Sequence, residues 1–223
     1  MKYFNLLFIS LLLLISVTLG SCFSGPKAST RTTSSVDPDF TGKKFKKICV
    51  KVDVEDLETR QKLEKLVVEK FLSVGVKSGT SFMMLYPTKN WSDEEINKLL
   101  SKDLFDGLLV ISITSKELEK AYIPKSSTTT RTRKYKDDKG ETVVKTNTTT
   151  SNSTDVRRSY SSNFTSELFE VKTYKKAWIA TSKSFAGHYG SFNLIFKSFA
   201  NDLVQKLADD GLVDIVIAEK KES

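Results

Sequence analysis

Histidine is almost absent from this chain of 223 residues: His188 is the only one. A zinc site built on two histidines is therefore excluded, and a hydrolytic triad would have to use His188 as its base. Cysteine is nearly as scarce, with Cys22 and Cys49 alone. No GxGxxG follows the first strand-like segment, and GxxxxGK followed by Ser or Thr occurs nowhere. The loops that cradle phosphate in nucleotide-binding folds are thus missing. The turn after that segment, DVEDLE, is acidic and would repel phosphate. Past the amino-terminal region there is no apolar run long enough to cross a bilayer as a helix, which takes roughly 20 residues.

The one long apolar run is LLFISLLLLISVTL, residues 6–19, preceded only by Lys2 and the amino terminus. A basic n-region before a short apolar h-region is the layout of a secretory signal. Its last residue, Leu19, is followed by Gly20, Ser21 and Cys22. This resembles the lipobox of bacterial lipoproteins, in which the cysteine becomes the acylated first residue. The resemblance implies residues 1–21 as signal peptide and Cys22 as the lipidated residue, anchoring the chain to a membrane through acyl chains. Phe23, not aspartate, follows the cysteine, which in that family favours the outer membrane, facing the periplasm. Lipidation of Cys22 leaves Cys49 without an intramolecular partner, and in KKICVKVDV it reads as a small buried hydrophobe.

Residues 22–42 are rich in Ser, Thr, Pro and Gly and nearly free of aliphatics, so they are expected as a flexible tether. Residues 43–223 are expected as a single α/β domain. In FKKICVKVDV, Ile48, Val50 and Val52 alternate with Cys49, Lys51 and Asp53, the period of a strand. Asp56 can cap a helix carrying Leu63, Leu66, Val67 and Phe71 on one stripe, with Gly75 as its stop. SFMMLYP, residues 81–87, reads as a second strand. Ser92 and Glu95 are spaced as a capping box for a second helix, and DGLLVISITS, residues 106–115, as a third strand.

Residues 125–163 hold 17 Ser or Thr, nine Lys or Arg and four acids. Two readings are open: a disordered polar insert, or a long β-hairpin turning at DDKG. NFTSELFEVKTYKKAWIATSKSFAG, residues 163–187, reads as another hairpin turning at Tyr174-Lys175-Lys176. An amphipathic helix from Ser191 to Gly211 follows, striped by Phe192, Ile195, Phe196, Phe199, Leu203 and Leu207. VDIVIAEKKES at the end is a possible short strand and charged tail. The fold class is thus α/β (α+β): a mixed sheet from a β-α-β-α-β half, then β-hairpins and a C-terminal amphipathic helix.

The lipobox, the DGLLVISIT strand and the hairpin ELFEVKTYKKAW before a terminal helix together resemble a largely uncharacterised family of bacterial envelope lipoproteins. Its hairpin commonly carries D-V-K-T-G-K and a tryptophan. Glu170, Val171, Lys172, Thr173, Lys175 and Trp178 follow that pattern, with Tyr174 where glycine is usual. The resemblance implies a fold similar to the amino-terminal domain of the Tol translocation protein and to lipoprotein activators of penicillin-binding proteins. It supplies no site residues.

No catalytic residue, metal ligand or cofactor site stands out. The acid pairs Asp137-Asp138, Glu94-Glu95 and Asp209-Asp210 fall at a turn, a helix start and a helix end. RTRKYK and RRSY mix arginine with tyrosine as nucleic-acid binders do, but export argues against that partner. The expectation is a non-catalytic binding or scaffolding module of the bacterial cell envelope. Its candidate contact residues are Arg131, Arg133, Tyr135, Arg157, Arg158 and Tyr160, and its candidate partners an envelope protein or an anionic envelope polymer. A regulator of an envelope enzyme or transport complex, and a hydrolase using His188, are the alternatives.

Overall fold

A computed structural model describes residues 26–216 apart from Pro87 and Asp137. The signal segment 1–21, Cys22 and the tail 217–223 lie outside the described residues. Six strands form one mixed sheet: β1 (Ala28–Val36), β2 (Lys47–Asp53), β3 (Lys77–Thr80), β4 (Gly107–Lys136), β5 (Thr142–Glu170) and β6 (Lys176–Ala186). Their order across the sheet is β1-β6-β5-β4-β2-β3. β2 runs parallel to β3 and β4, whereas β4, β5, β6 and β1 pair antiparallel in turn. Three helices, α1 (Leu57–Ser73), α2 (Asp93–Lys102) and α3 (Phe192–Asp209), complete the described fold. The expected mixed sheet and C-terminal helix are both present.

The two sheet faces are covered unequally. Ile48, Val50 and Val52 of β2 meet Leu63, Val67 and Phe71 of α1 in the main core, where α3 adds Ile195, Phe199 and Leu203. Phe199 stacks on Phe164 of β5 with ring centroids 3.9 Å apart. Removing such a fully buried ring costs about 3–5 kcal/mol. The opposite face carries a smaller cluster, in which Ile96 and Leu100 of α2 pack on Cys49 and Leu108. Beyond α2 that face is bare: the outward residues of β1 and β6, such as Arg31 and Lys183, are exposed while their neighbours along the strand are not.

Helix ends follow local chemistry. The Asp56 carboxylate accepts from the Glu58 N–H at 3.2 Å at the start of α1. Ser92 and Glu95 form the reciprocal capping box of α2, and the Ser191 hydroxyl accepts from the Leu194 N–H at 3.3 Å. α1 stops at Gly75, which takes φ +83° so that the Val76 N–H can return to the Phe71 carbonyl at 3.0 Å.

Three sequence expectations need correction. The segment 22–42 is not a tether throughout: from Ala28 it is edge strand β1, paired along its length with β6. Its inward side chains are hydroxyls because those they meet are hydroxyls. Thr30 bonds Ser184 at 2.8 Å and Ser198 at 2.9 Å, and Thr32 bonds Ser182 at 2.7 Å. Ser34 donates to Asp210, which also accepts from the Trp178 indole at 2.7 Å. Second, residues 81–86 are not a strand; the strand is the preceding Lys77–Thr80. The chain leaves β3 because buried Glu64 takes the Phe82 N–H at 2.9 Å and the Ser81 hydroxyl at 2.8 Å. Third, residues 213–216 form no strand, although the Val216 N–H reaches the Val74 carbonyl at 2.8 Å.

The basic region 125–163 is a hairpin, not an insert: β4 and β5 form one ladder from Gly107↔Glu170 to Lys136↔Thr142. β6 covers β5 only as far as Tyr160. From Glu119↔Ser159 outward the ladder is a bare two-stranded ribbon, reaching about 60 Å at roughly 3.3 Å per residue.

Candidate functional site: the projecting ribbon

Threonine, valine and tyrosine favour extended backbone, and they dominate the outer ribbon. Gly140 closes the tip at φ +77°, in the left-handed region that hairpin turns demand. Alternation gives the ribbon two distinct faces. One carries a threonine ladder, with hydroxyl oxygens 3.4–3.5 Å apart in the pairs Thr128–Thr150, Thr130–Thr148 and Thr132–Thr146.

Lys134 and Lys136 continue that same face outward, and the other face carries the distal arginines. Register places Arg131 opposite Asn147, Arg133 opposite Lys145 and Tyr135 opposite Val143. Thr129, Arg131, Arg133, Lys145, Asn147 and Thr149 line a hollow of about 490 Å³. No carboxylate sits on this face between the Ser127↔Ser151 and Tyr135↔Val143 rungs. Like charges directly opposite in an antiparallel pair destabilise it by a few tenths of a kcal/mol to about 1 kcal/mol. Arg133 facing Lys145 is therefore a cost that an anion bound between them would remove.

The structure divides the six residues nominated by the sequence. Arg131, Arg133 and Tyr135 stand together at the distal end. Arg157 is on the same face but pairs with Ala121, about 33 Å nearer the sheet at 3.3 Å per residue. Its surroundings are mixed in charge: Lys125 bridges Asp155 at 2.9 Å, and the hydrogen bond from Lys125 holds that carboxyl below its usual range. Arg158 and Tyr160 belong to the opposite face. Tyr160 packs edge-on against Phe192 at 5.3 Å, so it anchors the ribbon's root to α3. The Arg158 N–H donates to Nδ1 of His188 at 3.2 Å, which gives the lone histidine a role in joining the β6–α3 loop to the ribbon.

Lys145 and Asn147 were not among the nominated residues. Counting outward from DDKG would have found them, because a hairpin centred near Lys139 sets 145 against 133 and 147 against 131. Elsewhere, burial first and repulsion from Glu64 second push the Cys49 thiol up to about 12, so this cysteine behaves as the buried hydrophobe its strand position implied. Among the described residues no group of three or more His, Cys, Asp or Glu is placed to hold a metal ion.

Fold and site together define a mixed-sheet α/β domain that carries a long cationic β-ribbon. Comparison with known proteins matches no family model and no curated protein. Among solved structures the chain is similar to the PelC dodecamer from Paraburkholderia phytofirmans, with a TM-score of 0.46 and 10% identity over 84% of this chain and 99% of that one. A variant of the same protein gives a TM-score of 0.45 and 12% identity over 80% and 98% of the two chains. A PDZ domain protein from Parabacteroides distasonis follows at 0.28 and 7% identity, over 79% of this chain and 35% of that chain.

Proposed function

We propose that this protein is a lipid-anchored component of the bacterial cell envelope, held to the outer membrane at Cys22 and facing the periplasm. It acts as a non-catalytic binding or scaffolding module that offers its ribbon to an anionic envelope component. The observation that supports this reading is the cationic distal face, where Arg131, Arg133 and Lys145 occupy adjacent rungs without a carboxylate. The strand at Ala28–Val36 changes how such a protein would work. With residues 23–27 alone between anchor and sheet, the leash spans about 20 Å at most. Reach belongs to the ribbon, not to the tether.

Two measurements test the reading. Intact mass of the membrane-extracted protein should equal residues 22–223 plus acyl groups, and Cys22→Ala should lose them; an unmodified chain would remove the anchor. Binding of the full protein to an anionic polymer such as polygalacturonate should weaken steeply with salt. It should also weaken when Arg131, Arg133 and Lys145 are all changed to Gln. Salt-independent binding would refute the electrostatic contact.

A second reading rests on the ribbon's two bare edges. A two-stranded hairpin alone is marginally stable in water, and pairing between copies would complete it. Light scattering of wild type against a chain shortened within the ribbon separates the two.

A further inference from the structure

The anchor and the ribbon lie at the same end of the sheet. β1 begins at Ala28, which pairs with Ala186, and Ala186 in turn pairs with Tyr160, where the ribbon begins. A leash of about 20 Å at most therefore holds the domain by the end from which an arm of about 60 Å departs. An arm leaving from the anchored end, and longer than the leash, comes up against the membrane before anything more distant.

The charge distribution agrees. The ribbon face that carries Arg131, Arg133 and Lys145 is continuous with the uncovered face of the sheet, because Asn163 and Ser161 lead along β5 to Arg157 and Asn147 on alternate residues. On that uncovered face Arg31 lies directly opposite Lys183 between β1 and β6, a second like-charge rung, and neither is ion-paired among the described residues. Two rungs nearer the anchor on the same face of β6, Phe185 is 53% exposed, and Tyr189 in the following loop is 78% exposed. Aromatic rings at one end of a domain, beside basic residues, are the composition of a membrane–water interface.

Acids also stand at this end of the molecule: Asp138 and Glu141 lie in the turn beyond the Lys136↔Thr142 rung, beside Lys134, Lys136 and Lys139. Glu117 and Glu119 stand at the root, Asp155 is bridged to Lys125, and Glu167 is paired with Lys176. The acidic turn holding Glu55 and Asp56 also opens at this end, but it follows β2. That strand is four positions from β1, about 19 Å at 4.8 Å per strand, and pairs directly with β4, so the acidic turn flanks the root of the ribbon.

We propose that the ribbon lies on the surface of the membrane that holds Cys22, with Arg131, Arg133 and Lys145 at its distal end and Arg31 and Lys183 at its base against phospholipid headgroup phosphates, and Phe185 seated in the interface. The inference rests on the anchor proposed above and names its anionic component. Neither ribbon face has the continuous apolar alternation of a membrane-spanning strand: Thr128, Thr130 and Thr132 occupy one face, Arg131 and Arg133 the other. The ribbon docks on the bilayer and does not cross it. Lipid chains fix the distance, and the continuity with the uncovered sheet face, where Arg31, Lys183 and Phe185 stand, fixes the orientation, as when acylation combines with a polybasic patch.

The test uses the acylated full-length protein reconstituted into vesicles of phosphatidylcholine alone or with a quarter phosphatidylglycerol. Hydrogen exchange is followed across residues 119–136 and 142–159. The expected result is slower exchange in the ribbon on the anionic vesicles only, reversed by high salt. At about 1 kcal/mol per basic residue near an anionic surface, changing Arg131, Arg133 and Lys145 to Gln weakens docking on the order of a hundredfold. Lys183→Gln gives a smaller loss, with the ribbon itself unaltered. Equal exchange on both vesicle types, with the acyl mass present and polygalacturonate still bound, overturns the docking but leaves the proposed function standing. Protection that ignores both lipid charge and the triple substitution also overturns it, and points to a second copy covering the ribbon. Absence of the acyl mass removes the anchor itself.

Discussion

Replacing Glu64 by glutamine should unfold this domain far more readily than an isosteric change suggests. Glu64 is fully buried in α1 and receives four donors. One oxygen accepts from the Val52 N–H at 3.1 Å, the Arg60 Nε at 3.1 Å and the Ser81 hydroxyl at 2.8 Å, and the other takes the Phe82 N–H at 2.9 Å. A glutamine can keep only one of these oxygens. Keeping the crowded one turns its NH2 toward the Phe82 N–H, donor against donor. It also leaves the guanidinium of Arg60, itself mostly buried, without a counter-charge. An orphaned buried donor costs about 1–3 kcal/mol, and removing one partner of a buried ion pair about 3–5 kcal/mol. These overlap, so a net loss of about 3 kcal/mol is expected. With a urea slope of about 2 kcal/mol/M, the midpoint should fall by about 1.5 M at unchanged slope. Arg60→Met should also destabilise, but the double variant should cost less than the sum, because the pair is then removed together. Strict additivity, or a loss below about 1 kcal/mol for Glu64→Gln, would refute the account of this carboxylate as the clasp between β2, α1 and the turn after β3.

Asp210 ties the edge strand to the core, so Asp210→Asn should cost about 1–3 kcal/mol and expose β1 to cleavage after Arg31, read by limited proteolysis. Burial disfavours its ionised form, but hydrogen bonds from Ser34, Trp178 and Lys206 outweigh this and hold the pKa below the usual 3.8. That stabilisation is present above the unfolded value and lost as pH falls below it. The melting temperature of wild type should therefore drop more steeply below pH 4 than that of the variant. Tyr174 is pushed up to about 12, first by burial and then by its hydrogen bond to Asp93, so its contribution is full below pH 10 and fades as pH rises toward 12. An ultraviolet titration should show one late tyrosine that Tyr174→Phe removes; if every ring ionises together, the assignment fails. Cys49 should resist iodoacetamide in the folded state and react in denaturant. Alkylation at the native rate of a free thiol would show that its strand opens.

What could be read from the chain was wherever apolar residues keep a period. β2, α1, α2 and α3 are legible because Ile48-Val50-Val52, Leu63-Val67-Phe71 and Ile195-Phe199-Leu203 keep a period that brings them into one core. Helix starts were legible for the same kind of local reason, a capping side chain next to its own backbone. Tyr174 takes a φ of +56°, in the left-handed region that glycine enters at no steric cost. The position demands the left-handed region. Tyrosine is accommodated there by stacking on Phe169 of β5 at 5.4 Å and by bonding Asp93 at 2.9 Å, the second a contact with a distant helix that no local pattern reveals.

The edge strand and the ribbon share one chemistry. β1 was read as a tether because ASTRTTSSV has serine and threonine where a strand normally shows aliphatics. Hydroxyls give no hydropathy contrast, yet they pair well when the facing strand offers Ser182 and Ser184 and the facing helix Ser198. The ribbon was ambiguous on the same ground, and its register carried the functional information. Arg133 against Lys145 and Arg31 against Lys183 are unremarkable as surface cations on single strands. Only pairing makes each a repulsive rung, and the start of β1 beside the root of the ribbon puts Arg31 and Lys183 where the ribbon departs, with Arg133 and Lys145 far along it. On the docking proposed above, a strand that hydropathy cannot see shortens the leash, and the shortened leash turns a basic hairpin into an arm with a membrane beneath it.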